Sequence, residues 1–274
     1  MSSVTLLIGL LAVAYFASML MGGRSLRGYG LPSGSEWLML GFVLGPSVLG
    51  VTSKEALSTF EPIVGVAMAW LALVLGAEYG FAGERRVNFG GFVTGVLGAL
   101  AVSALVGAAT YNACIRMTSM TPAEAACVAA GLGLCSCETA RYAVRWAAAR
   151  AGNEGPVHEL LEDMADSDEL VPLLGIGVLL SFAPAGEGSV QLSGLQWLGI
   201  TSTLGVSLGL LCAVLLRGTS GETDTWAVLL GAALLGTGIA WRLTISPLTV
   251  MFLMGFCVSH TSRHGPELRR MLAR

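Results

Sequence analysis

The chain has 274 residues, of which 54% are hydrophobic and 12% charged, and its formal net charge is −3. A soluble domain carries about 25% charged residues, whereas the mean hydropathy here is +0.73. The composition therefore excludes a soluble globule with one anchor and predicts an all-α, polytopic membrane helix bundle. The 37 glycines fit close helix packing in lipid, where small residues let backbones approach.

A span needs about 20 apolar residues. In chain order the candidates are Val4–Gly22, Glu36–Val51, Leu57–Phe81, Phe89–Ile115, Pro122–Trp146, Val157–Ala183, Gly194–Leu216, Thr225–Trp241 and Ile245–Val258, nine in all. The first follows Met1-Ser2-Ser3 without a basic flank, which argues against a cleaved signal peptide. The last is short. Several contain Gly or Pro, which membrane helices tolerate.

With nine spans, twelve arginines, from Arg24 to Arg274, fall in one set of loops, and only Lys54, Arg116 and Arg242 fall in the other. The positive-inside rule makes the first set cytoplasmic, with the N-terminus outside and the C-terminus inside.

The fifth span is interrupted by Cys135-Ser136-Cys137-Glu138-Thr139-Ala140-Arg141. Small and polar residues at mid-membrane mark the broken helices of transporters, where freed backbone groups meet ions. A local Glu138–Arg141 pair at i, i+3, with small residues for packing, accounts for the same stretch. The six cysteines, Cys114, Cys127, Cys135, Cys137, Cys212 and Cys257, all lie in or beside apolar segments. They form no disulfide framework, and no second Cys/His pair stands near Cys135 and Cys137, so packing rather than metal binding is expected.

The sixth span begins with an acidic run from His158 to Glu169. Its apolar part, Leu170–Ala183, has only fourteen residues, about 21 Å at 1.5 Å per residue against a hydrocarbon core of about 30 Å. Spanning needs roughly six more residues, and those are Met164 to Glu169, which include Asp166, Asp168 and Glu169. At 100° per residue Glu159, Glu162, Asp163, Asp166 and Glu169 share one stripe, with Asp168 roughly opposite, facing the protein interior. Clustered, desolvated carboxylates hold protons more firmly, so one acid of such a group can exchange a proton for a cation near neutral pH. The outer acids Glu159, Glu162 and Asp163 also fit a solvated helix start, favoured by the macrodipole and able to pair with Arg141, Arg145 or Arg150. Glu36, Glu61 and Glu78 read as boundary or structural residues, and His158, His260 and His264 as solvated ends.

Five stretches together resemble a family. Gly41-Phe-Val-Leu-Gly45-Pro46-Ser47-Val-Leu49-Gly50 is similar to the second-span G-x-x-x-G-P-x-x-L-G of monovalent cation/proton antiporters, including Kef-type potassium efflux and NapA-like sodium transporters. Leu75-Gly76-Ala77-Glu78 resembles the G-x-E closing their third span. Cys137-Glu138-Thr139-Ala140 falls where they break a helix, and Ala165-Asp166-Ser167-Asp168-Glu169-Leu170-Val171-Pro172 falls at their ion-binding acid motif. Ser246-Pro247, with Phe252 and Gly255, resembles the S-P-x-x-x-x-F-x-x-G of their ninth span.

The resemblance implies inverted repeats. Residues 1–183 correspond to a first six-helix repeat, 184–221 to a linking helix, and 222–274 to the first two helices of a truncated second repeat with a basic cytoplasmic tail. It implies exchange of a proton for Na⁺ or K⁺ at Asp168 and Glu169, with Asp166, Cys137, Glu138 and Thr139 contributing to the site. The remaining spans would come from a homo-oligomer or a partner membrane subunit. A non-transporting scaffold or sensor subunit that retains the fold is the alternative. No nucleophile–base set, phosphate loop or histidine within a span suggests an enzyme. Neither a cofactor nor a metal beyond the transported monovalent cation is expected.

Overall fold

The computed structural model of the chain describes residues 5, 8–10, 12–13, 15–16, 35–79, 89–139, 141–152, 155–182, 192–218 and 222–261. Among the described residues the chain is helical, without a strand. The helices are α1 Ser35–Leu44, α2 Lys54–Tyr79, α3 Phe89–Met117, α4 Pro122–Cys135, α5 Arg141–Ala151, α6 Pro156–Asp168, α7 Leu170–Phe182, α8 Gly194–Leu216, α9 Glu222–Arg242 and α10 Pro247–Thr261.

Four stretches are long and apolar enough to cross a bilayer: Leu57–Tyr79, Phe89–Met117, Gly194–Leu216 and Thr223–Arg242. Helices α4 and α10 are apolar but shorter. The protein is therefore an integral membrane protein made of helices. The four long stretches correspond to the third, fourth, seventh and eighth predicted spans. The first, Val4–Gly22, lies largely outside the described residues.

Three predicted spans contain shorter helices than expected, each for a local reason. In the second, α1 stops at Leu44 because Gly45-Pro46 follows. The turn closes by Gly50 N–H donating to Gly45 O at 2.9 Å and Leu49 N–H to Val43 O at 3.1 Å. Gly50 takes φ +63°, which glycine adopts without a Cβ penalty. In the fifth, α4 ends at Cys135 and the next described helix starts at Arg141. In the sixth, the helix divides at Glu169. Pro172 has no N–H for the Asp168 carbonyl four residues back, and its ring crowds that carbonyl, so the break falls beside the acids.

The chain divides into two compact units, Met1–Val64 with Ala140–Glu162, and Gly65–Thr139 with Asp163–Arg274. The first holds α1, α5 and most of α6. There His158 Nε2 lies 4.0 Å from Glu162 Oε1, one helical turn apart.

In the second unit α3 packs on α4, and α8 packs on α10 and α9, with α7 beside α4, α8 and α10. Its core joins Leu73, Leu208, Leu229, Val250, Met251, Phe252, Met254 and Val258. In lipid such association rests on packing at close range rather than on water exclusion. Small residues supply that range. A Cβ on Gly76 would meet the backbone of Phe252 (carbonyl carbon at 2.8 Å), and one on Gly255 would meet the backbone of Leu73 (carbonyl carbon at 3.0 Å). The crossing of α2 and α10 is thus backbone against backbone, and it is built from Gly76 of one sequence signature and Phe252 and Gly255 of another.

Helix α10 begins where the sequence offers a cap. Ser246 Oγ accepts from Thr249 N–H at 3.5 Å, and Pro247 occupies the first helical position, where no donor is needed. Three buried hydroxyls are satisfied inside their own helices: Thr201 donates to Trp197 O at 2.9 Å, Thr237 to Ala233 O at 2.7 Å and Ser181 to Gly177 O at 2.8 Å. This is the usual way for a polar side chain to persist in an apolar surround.

Candidate functional site

The buried carboxylate of Asp168 is not satisfied in that way. Asp168, the last residue of α6, is 4% exposed. Its Oδ2 accepts from the backbone N–H of Thr139 at 3.0 Å, across 29 residues of sequence. Its Oδ1 has no hydrogen-bond partner among the described residues.

Thr139 can make this contact because the chain is unwound there. α4 runs only from Pro122 to Cys135. Its N-terminus carries a capping box: Thr121 Oγ1 accepts from Glu124 N–H at 3.4 Å, and Glu124 Oε2 accepts from Thr121 N–H at 2.8 Å. Its C-terminus is closed by Ser136, whose N–H reaches Leu132 O at 3.1 Å and Gly133 O at 3.2 Å. Ser136 Oγ donates to Gly133 O at 2.8 Å, and the Cys137 thiol donates to Leu134 O at 3.0 Å. These small polar side chains take up the last carbonyls and stop the helix, which leaves the Thr139 N–H free to point at a carboxylate.

The turn of α6 that precedes Asp168 rests on α3. Its buried stripe is Gly91, Gly95 and Ala99. A Cβ on Gly91 would sit 2.7 Å from Asp163 Cβ, and one on Gly95 would sit 2.7 Å from Met164 O and overlap Ser167 Oγ. Ser167 is itself 1% exposed, and its hydroxyl donates to Asp163 O and Met164 O, each at 2.9 Å. The end of α6 thus rests directly on the α3 backbone.

The residues expected to form a site are distributed as follows. Asp168 and Thr139 are in contact. Cys137 is 5% exposed, whereas Glu138 and Thr139 are exposed at the side-chain level. Asp166 and Glu169 are half-buried on either side of Asp168. Of the outer acids, Glu159 is exposed and Glu162 and Asp163 are half-buried. The side chains of Arg141 and Arg145, their suggested partners, lie outside the described residues. Glu78 is exposed near the end of α2.

Ser167 and the α3 glycines carry part of this arrangement and were not anticipated. The signal for them is the four-residue spacing Gly91, Gly95, Ala99, a small-residue stripe of the kind that lets helices approach.

The chemistry available is that of one buried carboxylate with a free oxygen at the C-terminal end of a half-length helix. The macrodipole of α4 favours positive charge at that end. Among the described residues no three or more His, Cys, Asp or Glu side chains are arranged to hold a metal ion. Comparison with known proteins returns no match: no family model, no curated protein and no solved structure matches the chain.

Proposed function

We propose that the protein is a monovalent cation/proton antiporter of the bacterial cytoplasmic membrane, exchanging H⁺ for Na⁺ or K⁺ at Asp168. The observation that carries this reading is the contact between Asp168 Oδ2 and the Thr139 N–H at 3.0 Å, at a helix break, with Oδ1 buried and unpartnered. A carboxylate oxygen in that setting needs a positive partner, either a proton or a cation. One site that accepts either, but not both, couples their movements.

Two further features support the reading. Signature residues Gly76, Phe252 and Gly255 meet at one helix crossing. The unwound stretch Ser136–Thr139 and the one-residue interruption at Glu169 both fall inside otherwise apolar spans, as in the broken helices of transporters. In this reading Asp168 carries the proton or the cation. Thr139 holds one carboxylate oxygen, backbone groups near Cys137 complete the shell, and Asp166 and Glu169 supply neighbouring charge. The arginine distribution gives an outside N-terminus and a cytoplasmic C-terminus. The protein acts as a homo-oligomer or with a partner membrane subunit, and antiporter-like repeats rock around the site.

The test is cation-dependent proton movement in everted membrane vesicles containing the full chain. Wild type should dissipate an imposed proton gradient on addition of Na⁺ or K⁺, and Asp168→Asn and Glu169→Gln should not. Wild-type vesicles inert to both cations, with the protein inserted, would leave the non-transporting scaffold as the correct description.

A further inference from the structure

We propose that Glu138 is an outer carboxylate that gathers cations at the mouth of the site and sets how tightly Asp168 holds them. The inference rests on the ion-exchange reading of Asp168. It assigns Glu138 a role distinct from that of a ligand.

Neighbouring residues of the unwound segment point opposite ways. Cys137 is buried, with its thiol on Leu134 O at 3.0 Å. Glu138 is exposed. Glu138 immediately precedes the N–H that Asp168 Oδ2 accepts, so its position relative to Asp168 is fixed to within one residue of backbone. The two acids therefore form a graded pair, one at the protein surface and one 4% exposed with an unpartnered oxygen.

An exposed carboxylate can stay ionised without a partner. A second negative charge beside Asp168 raises the local cation concentration and favours the cation-bound state over the empty ionised state. In this proposal Glu138 faces an aqueous opening, so the effect is moderate and screened by salt.

The test reads cation binding at Asp168 directly. A hydrophobic carbodiimide adds to a protonated carboxyl, and a bound cation displaces that proton and so protects the group. The full chain in liposomes is labelled at a fixed pH high enough that Asp168 is mostly ionised without cation, so that the cation competes with the empty ionised state and not with the proton, while NaCl or KCl replaces choline chloride at constant ionic strength. Peptide mass spectrometry then quantifies the adduct on Asp168. Removing one unit of nearby charge in Glu138→Gln should raise the half-protecting concentration roughly three- to tenfold. Glu138→Asp should restore most of the protection. Glu61→Gln, an exposed acid on α2, should behave as wild type.

Protection in wild type that is unchanged in Glu138→Gln overturns the proposal and leaves the reading of Asp168 intact. No protection by either cation in wild type overturns both. If Glu138→Gln cannot be purified folded, wild type alone decides. Raising choline chloride at fixed Na⁺ should weaken protection, and an unchanged half-protecting concentration refutes the role of Glu138.

Discussion

Replacing Gly95 by alanine places a methyl group where α3 touches the acid-bearing helix. The added Cβ would lie 2.7 Å from Met164 O and 2.8 Å from Met164 Cα, besides overlapping Ser167 Oγ. Two of these atoms are backbone, so a rotamer change cannot relieve the overlap. The helices must separate by roughly 1 Å, and overpacking of that kind costs about 1–3 kcal/mol. Asp168 follows Ser167 directly, and its 3.0 Å bond to Thr139 would stretch beyond hydrogen-bonding range. Gly98 is the matched control. It lies on the same helix, and an added Cβ there meets nothing within 4 Å. The assay is thermal unfolding in detergent by tryptophan fluorescence, paired with carbodiimide labelling of Asp168. Gly95→Ala should lower the transition and change the labelling rate, while Gly98→Ala should leave both close to wild type. Equal behaviour of the two variants would refute the contact between α3 and the end of α6.

Other substitutions test separate parts of the structure. Gly255→Ala sets a methyl against the Leu73 carbonyl carbon at 3.0 Å and the Ala77 nitrogen at 3.0 Å. It should destabilise by about 1–3 kcal/mol, and its combination with Gly76→Ala should be non-additive because both act at one crossing. Thr244 has φ 56°, closing α9 with Ile245 N–H on Ala240 O at 3.0 Å. Thr244→Gly should therefore raise stability by about 1 kcal/mol in a detergent melt. Pro172→Ala restores a donor for the Asp168 carbonyl. Hydrogen exchange should show that amide protected and α6 continuous with α7, with cation-dependent flux reduced if the break serves the site.

Much of the architecture is legible in the residues. Apolar length alone marks the four long stretches, and the angle of 100° per residue sets Asp168 apart from the stripe of Glu159, Glu162 and Asp163. The break after Cys135 is visible because Ser136 and Cys137 can bond the preceding carbonyls. The break before Pro172 is harder to read, since a proline in a membrane helix often bends it without ending it. The outcome depends on whether the freed carbonyl is crowded by neighbours that only the fold supplies. Likewise Gly45-Pro46 ends α1 earlier than hydropathy suggests, because Gly41 to Val51 are apolar whether or not they are helical. The contact of Asp168 with Thr139 cannot be read from either segment alone, because it requires α3, through Gly95, to hold the end of α6. The 37 glycines announce close packing, but not which glycine meets which backbone.

The central claim is that Asp168 exchanges a proton for a monovalent cation. The most direct measurement uses purified protein in liposomes loaded with a pH-sensitive dye. Addition of Na⁺ or K⁺ outside should alkalinise the lumen as protons leave in exchange, over a range around neutral pH. Asp168→Asn, which can still accept the Thr139 N–H and remain folded, should abolish the signal. A wild-type protein that moves no protons in response to either cation, or an Asp168→Asn variant that moves them as well as wild type, would contradict the account.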